Sequence, residues 1–258
     1  MLPSVLSRQP WRLLPFLIAE GSRQMAIDEA IFRAVAQGSS LPTLRFYQWN
    51  PIAISLGYHQ RSYPAHWQGL KFGHETIDLV RRPTGGRAVL HQGDLTYAIS
   101  LSGMPNPRAE SYRTICEFLI QGWRSLSYEL SYGGAGRGYI HNPNCFGTAT
   151  GADLVLPEGY KLIGSAQKRS ADTVLQHGSM RLTPDLDLFE RVFGTRTELG
   201  NLHPPMPSIE QIIPAMITAA EICFGAKFTI GSLSPQEEDW IEQLLPKKCR
   251  ASENHPEF

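Results

Sequence analysis

Two hydrophobic periods interleave along this chain, and that mixture most constrains its fold. Leu44 and Phe46 alternate with Arg45 and Tyr47. Ile52, Ile54 and Leu56 alternate, and Leu95, Tyr97, Ile99 and Leu101 alternate with Thr96, Ala98 and Ser100. Period two puts successive side chains on opposite faces and predicts half-buried strands, more typical of antiparallel than of parallel sheets. Against this, Ile27, Ala30, Ile31, Ala34 and Val35 follow the helical spacing i, i+3, i+4, i+7, i+8. They predict a helix with Ser22 as its N-cap that stops before Gly38. Tyr112, Ile115, Cys116, Leu119, Ile120 and Trp123 make a second stripe, within a helix over about Ala109–Leu126.

The remaining punctuation is local. The apolar run Leu13–Ala19 is short and holds Pro15, so it reads as an N-terminal strand rather than as the core of a signal peptide. Pro157-Glu158-Gly159 and Ser170-Ala171-Asp172 are turn sequences that predict two hairpins. Thr183-Pro184 opens a short helix ending near Gly194. Ser208 with Gln211 and Ser234 with Glu237 are capping-box pairs for two later helices. Hairpin-linked strands interspersed with helices predict an α+β fold, with a mixed or antiparallel sheet packed with helices. With 258 residues, we expect one main domain over 11–230, followed at 231–258 by a short C-terminal helix and a flexible tail.

Composition narrows the function. Lys+Arg and Asp+Glu both number 24, so no global field favours nucleic acid or an anionic membrane. No apolar run approaches the length of a membrane span. The four cysteines are widely spaced without a CxxC pair, which argues against a disulfide scaffold or a Cys-rich metal site and for a reduced, cytoplasmic chain.

Three segments could carry chemistry. Arg81–His91 holds Gly85-Gly86 among Arg81, Arg82 and Arg87. Paired glycines permit close backbone approach to a ligand, and arginines supply donors for phosphate or carboxylate; a hairpin turn with solvated arginines fits the same residues. Ser131–Ala152 is glycine-rich and aperiodic, and Cys145 sits within it, while Cys116 and Cys223 fall on helical segments that read as core. Cys145 is either a nucleophile or an inert loop thiol. Lys161, in Lys161–Gln167, could stabilise a thiolate, clamp a phosphate or be a solvated strand residue. His91 and His177 are candidate bases, or structural histidines held by hydrogen bonds.

Taken in order, Met25–Ala30, Arg82–His91, Lys161–Gln167 and Gln176–Ser179 resemble the biotin/lipoate protein ligase superfamily, and within it the lipoate-ligase-like octanoyltransferases. The resemblance covers about Trp11 to Gly225. The ATP-using ligases carry a third glycine where this chain has Arg87, and lack a cysteine in the loop ahead of the lysine strand. The transferases have Gly-Gly-Arg, then Cys-Phe, then a lysine, as Cys145-Phe146 and Lys161 stand here. The resemblance implies a biotin/lipoate-ligase-like catalytic domain that moves octanoyl from octanoyl-acyl carrier protein to a lysine of a lipoyl-domain protein, with no cofactor and no metal. Cys145 and Lys161 would be catalytic. Arg82, Gly85, Gly86, Arg87, His91, Gly164, Ser165, Ala166 and His177 would bind substrate. The alternatives are an ATP-dependent lipoate–protein ligase, an amidotransferase between lipoyl proteins, and a non-catalytic acyl- or carrier-binding module.

Overall fold

The computed structural model describes residues 10–134, 153–195 and 205–249. In chain order these form β1 (Trp11–Leu13), β2 (Leu17–Ala19), α1 (Gly21–Ala36), β3 (Thr43–Trp49), β4 (Ala53–Leu56), β5 (Lys71–Phe72), β6 (Glu75–Thr76), β7 (Asp78–Arg81), β8 (Val89–His91) and β9 (Asp94–Leu101). They continue with α2 (Arg108–Ser125), β10 (Ser131–Tyr132), β11 (Leu154–Val155), β12 (Lys161–Ser170), β13 (Thr173–Arg181), α3 (Leu186–Phe193), α4 (Ile209–Phe224), β14 (Phe228–Ile230) and α5 (Pro235–Cys249).

The large sheet runs β10-β11-β12-β13-β9-β3-β1-β14, with β2 also on β3. It is mixed: β12, β13, β9 and β3 are antiparallel, whereas β1 and β2 lie parallel to β3. A small sheet, β7-β4-β8, packs nearby. This is the α+β architecture that the two interleaved periods predict.

Register explains which residues meet. Leu44 pairs with Ile99 and Phe46 with Tyr97, so these four share one face. There they join Leu95, Leu101, Val174 and Met180 against Ile115, Phe118, Leu119 and Trp123 of α2 and Ile212, Met216 and Phe224 of α4. Each such side chain stabilises the fold by about 1.5–3 kcal/mol. On the opposite face Tyr47, Trp49, Ala98 and Leu175 pack on Met25 and Phe32 of α1 and on Ala53 and Val80 of the small sheet. The strands are therefore not half-buried: β9 and β13 are buried along their whole length. The alternation is real, but its polar members line an enclosed face instead of solvent.

Other boundaries move for equally local reasons. The N-terminal strand is two short strands broken at Pro15, which has no N–H for a ladder bond. α1 begins at Gly21, and Ser22 lies buried inside it; Asp78 accepts the Gly21 N–H from a different strand. The two expected hairpins share one continuous strand, β12, pairing with β11 at its start and β13 thereafter. The Gly85-Gly86 segment is not a hairpin turn, because β7 and β8 both pair with β4 between them. Asp185, not Thr183, caps α3, accepting from Leu188 N at 2.8 Å. A short strand, β10, opens the aperiodic stretch, while 135–152, and Cys145 with it, lie outside the described residues. α5 runs past Pro246 to Cys249.

Both capping boxes are present, and the second has a further task. Glu237 caps α5 through the Ser234 N–H and also takes a two-pronged ion pair from Arg12 of β1, at 2.6 and 2.8 Å. Burial works against the charge on Glu237, but Arg12 and Ser234 outweigh it and hold the carboxyl below its ordinary value. Nearby, Ile241 and Leu244 of α5 pack on Ala26, Ile27, Ala30 and Ile31 of α1. Glu237→Gln leaves Arg12 facing an uncharged partner away from water. We expect a loss of about 3 kcal/mol, seen as a midpoint roughly 6–12 °C lower in thermal melting.

Candidate active site

A cleft enclosing about 440 Å³, its open mouth included, lies between the α1 face of the large sheet and the small sheet. Met25, Tyr47 and Trp49 supply apolar wall; Ser55, Arg82, Val89 and His91 come from the small-sheet side; Thr96, Gly164, Ala166, His177 and Ser179 come from β9, β12 and β13. Gly86 is exposed and Gly164, Ser165 and Ala166 are half-buried, whereas Ser55, His91, Thr96 and Ser179 are buried. The first group therefore marks the mouth and the second the floor.

Two buried carboxylates organise the walls. Asp28 of α1 accepts from Arg45 Nη1 at 2.9 Å, Tyr47 OH at 2.9 Å and His177 Nδ1 at 2.8 Å. With Nδ1–H donated, His177 Nε2 is left to accept from the Thr84 hydroxyl at 2.6 Å. Burial pushes the His177 pKa down despite Asp28's opposing pull. Burial, then the Asp28 charge, push that of Tyr47 well above the usual phenol value, so it remains a donor. Asp94 Oδ2 accepts from His91 Nδ1 at 2.8 Å and Ser179 Oγ at 2.6 Å. His91 Nε2 meets Ser55 Oγ at 2.8 Å, and Trp49 stacks on the His91 ring at 3.8 Å. Both histidines thus have both nitrogens engaged within the protein. They shape the cleft, which favours the structural reading of these rings over the basic one.

The glycine segment forms the rim. Arg82 is buried, and its guanidinium donates to Ser55 O, Gly85 O and Arg87 O at 2.6–2.8 Å. It braces the turn instead of standing in solvent. Gly86 has φ +92°, a conformation that favours glycine. Gly85 has no such need, since a Cβ there would meet nothing within 4 Å. The closest approach comes from a glycine that sequence reasoning passed over: a Cβ on Gly57 would lie 1.9 Å from Gly86 O.

The structure thus gathers Arg82, Gly86, His91, Gly164, Ser165, Ala166 and His177 around one cleft, with Gly85 and Arg87 completing the rim turn. Ser165, paired with Gly178, lies on the face of β12 opposite Gly164 and Ala166; between Lys161 and Ile163 the register of β12 against β11 shifts. Lys161 is buried and paired with Asp153 at 2.8 Å. Cys116 and Cys223 are poor nucleophiles, because burial pushes their thiols up to about 12 and about 11. Sequence reasoning missed Ser55, Thr84, Asp94 and Ser179, and gave Asp28 no role. The signals for Asp28 are its place in the Met25–Ala30 motif and an acid set beside the apolar stripe of α1. Among the described residues, no cluster of three or more His, Cys, Asp or Glu could hold a metal, and no helix is long and apolar enough to cross a membrane.

Residues 20–223 match the lipoyl protein ligase A/B catalytic domain. The chain is 34% identical to octanoyltransferase LipM of Kyrpidia tusciae, across 93% of this chain and 96% of that one. It is 31% identical to octanoyltransferase LipM of Bacillus subtilis, across 96% and 98%. Among solved structures it is similar to a lipoate protein ligase-type protein of T. acidophilum with bound lipoic acid, with TM-score 0.76 and 25% identity over 93% and 96% of the two chains.

Two outcomes follow from this geometry. Gly57→Ala should destabilise by about 3 kcal/mol, since neither the new methyl nor the Gly86 carbonyl can move aside; Gly85→Ala should stay within about 0.5 kcal/mol. Denaturant midpoints measure both. His177 has a depressed folded pKa, so below its ordinary value of 6.5 the unfolded chain takes up a proton that the folded chain refuses. Stability contributed by the neutral ring therefore falls as pH falls through that value. Between pH 7 and 5, the melting temperature of His177→Asn should decline less steeply than that of the wild type.

Proposed function

The chain belongs to the lipoyl protein ligase A/B catalytic-domain family, and within it we propose an octanoyltransferase of lipoate synthesis. It takes an octanoyl group from an acyl carrier protein and passes it to a lysine of a lipoyl domain. The observation that carries this reading is the likeness to octanoyltransferases over more than nine-tenths of both chains, laid over an apolar cleft of about 440 Å³.

The chemistry proceeds in two steps. The Cys145 thiolate attacks the thioester carbonyl carbon, the carrier's sulfur leaves and takes up a proton, and octanoyl stays on Cys145. The acceptor lysine's neutral amine then attacks that carbonyl carbon and loses its proton, and the Cys145 sulfur leaves. The first step exchanges one thioester for another and is nearly neutral; the second forms an amide and runs downhill, so no nucleotide is required. Cys145 is favoured as nucleophile by its place in the Cys-Phe-then-lysine pattern of the transferases, and burial makes the Cys116 and Cys223 thiols poorer candidates. In this reading the acyl chain lies in the cleft between Gly86 at the mouth and Trp49 and His91 at the floor, and Lys161 favours the thiolate and orients the carbonyl.

Incubation with octanoyl-acyl carrier protein and no ATP should add one octanoyl group to the wild type, labile to hydroxylamine and absent from Cys145→Ala, as intact mass spectrometry reads. Cys116→Ala should still be labelled. No adduct on the wild type, with pyrophosphate released from ATP and octanoate, would instead make the protein a ligase.

A further inference from the structure

Beside the cleft mouth stands a turn whose side chains an acyl chain in the cleft would not touch. It follows β4 as Gly57-Tyr58-His59-Gln60, and it is held from several sides. Gln60 N–H donates to Gly57 O at 3.0 Å. Arg81 Nη1 donates to Gly57 O at 2.9 Å and to Gln60 O at 2.5 Å. Tyr58 N–H donates to Thr84 O at 2.8 Å, and the absent Gly57 side chain lets the turn press against Gly86 O. The turn is thereby fixed to the rim, next to the exposed Gly86 of the mouth.

What this bracing holds up faces water. Tyr58 is 57% exposed, its ring lies edge-on to that of His59 at 4.9 Å, and Arg61 is exposed two residues further on. Tyrosine and arginine are the residue types that most often anchor an interface, and a turn ordered in advance avoids the entropy of ordering it on contact. Charge says what the surface suits. From Leu56 to His74 there is no Asp or Glu, while Arg61, Lys71, His59, His66 and His74 fall there. Through to His91, Arg61, Lys71, Arg81, Arg82 and Arg87 stand against Glu75 and Asp78 alone, in a chain whose total charge is zero. Asp78 is committed to the Gly21 N–H at the start of α1. This side of the mouth is therefore cationic and suits an anionic partner.

We propose that the Gly57–Arg61 turn is the docking surface for the acyl donor's carrier protein, with Tyr58 and Arg61 as its anchors. This rests on the transferase reading above. The donor's acyl chain enters the cleft while still joined to its carrier, so the connecting arm must leave across the mouth, and that arm ends in an anionic phosphodiester. Arg61 supplies charge-assisted hydrogen bonds to phosphate or carboxylate, Tyr58 supplies contact area, and Arg87, half-buried next to Gly86, extends the charge to the rim. The acceptor fits this surface less well, because it must bring a lysine ammonium to the mouth, and like charges repel.

The test separates the two halves of the reaction and two donors. Octanoyl-acyl carrier protein can use the surface; octanoyl-pantetheine, which has neither carrier nor phosphate, cannot. Tyr58→Ala and Arg61→Glu should each lower the second-order rate of acylation by octanoyl-acyl carrier protein roughly tenfold. Neither should change acylation by octanoyl-pantetheine, or discharge of the preformed acyl-enzyme to a lipoyl domain. Arg61→Lys keeps the charge and should retain most of the rate, and added salt should narrow the gap between Arg61→Glu and the wild type. Both side chains are exposed, so melting temperatures should not move. If the variants match the wild type with the carrier-bound donor, or if both donors slow together, the proposal is overturned. Slower discharge with unchanged acylation gives the surface to the acceptor and overturns it as well. A wild type acylated by neither donor overturns the transferase reading and this proposal with it; a wild type acylated by both and matched by the variants overturns the proposal alone.

Discussion

A carboxylate taken out of water must find donors for its lone pairs, and Asp28 finds them on three elements at once. It accepts from Arg45 and Tyr47 on β3 and from His177 on β13, while sitting on α1. Each bond to a charged acceptor is worth more than a neutral one, and losing any partner leaves a buried charge short of its needs. The helix, two strands of the large sheet and, through Thr84, the rim turn are thereby held in one register. The cleft is the space this arrangement leaves between them.

What the sequence revealed, and what it did not, divides by distance along the chain. The stripe of α2 and the boxes Ser208–Gln211 and Ser234–Glu237 are local patterns, and all three stand in the structure. The placement of β4 between β7 and β8 is not local, so Arg81–His91 read equally well as a hairpin. Arg45, Thr96 and Ser100 looked like a solvent face because nothing in a period of two distinguishes water from a buried partner. Asp28 and His177 are 149 positions apart, and no spacing rule connects them. The motif resemblance collected the cleft residues, but it could not say that Arg82 braces the turn or that the histidines face hydroxyls of the protein itself.

The glycines show the same division. Gly86 needs its left-handed backbone, a local property. Gly57 and Gly178 need their missing side chains because of what lies across the fold, a carbonyl in one case and a hydroxyl contact in the other. In the folded chain one bends the backbone and two allow a close approach across the fold.

α1 has almost no side of its own that faces water. Its inner surface carries Asp28 toward the cleft, and its outer surface is covered by α5, which Arg12 in turn secures to the first strand. A helix enclosed in this way cannot fray or open by itself, because exposing either surface requires another element to leave first. Motions of the site and detachment of the C-terminal helix therefore belong to one cooperative unit, and the chain beyond residue 223, where the family match ends, is part of the scaffold on which that site stands.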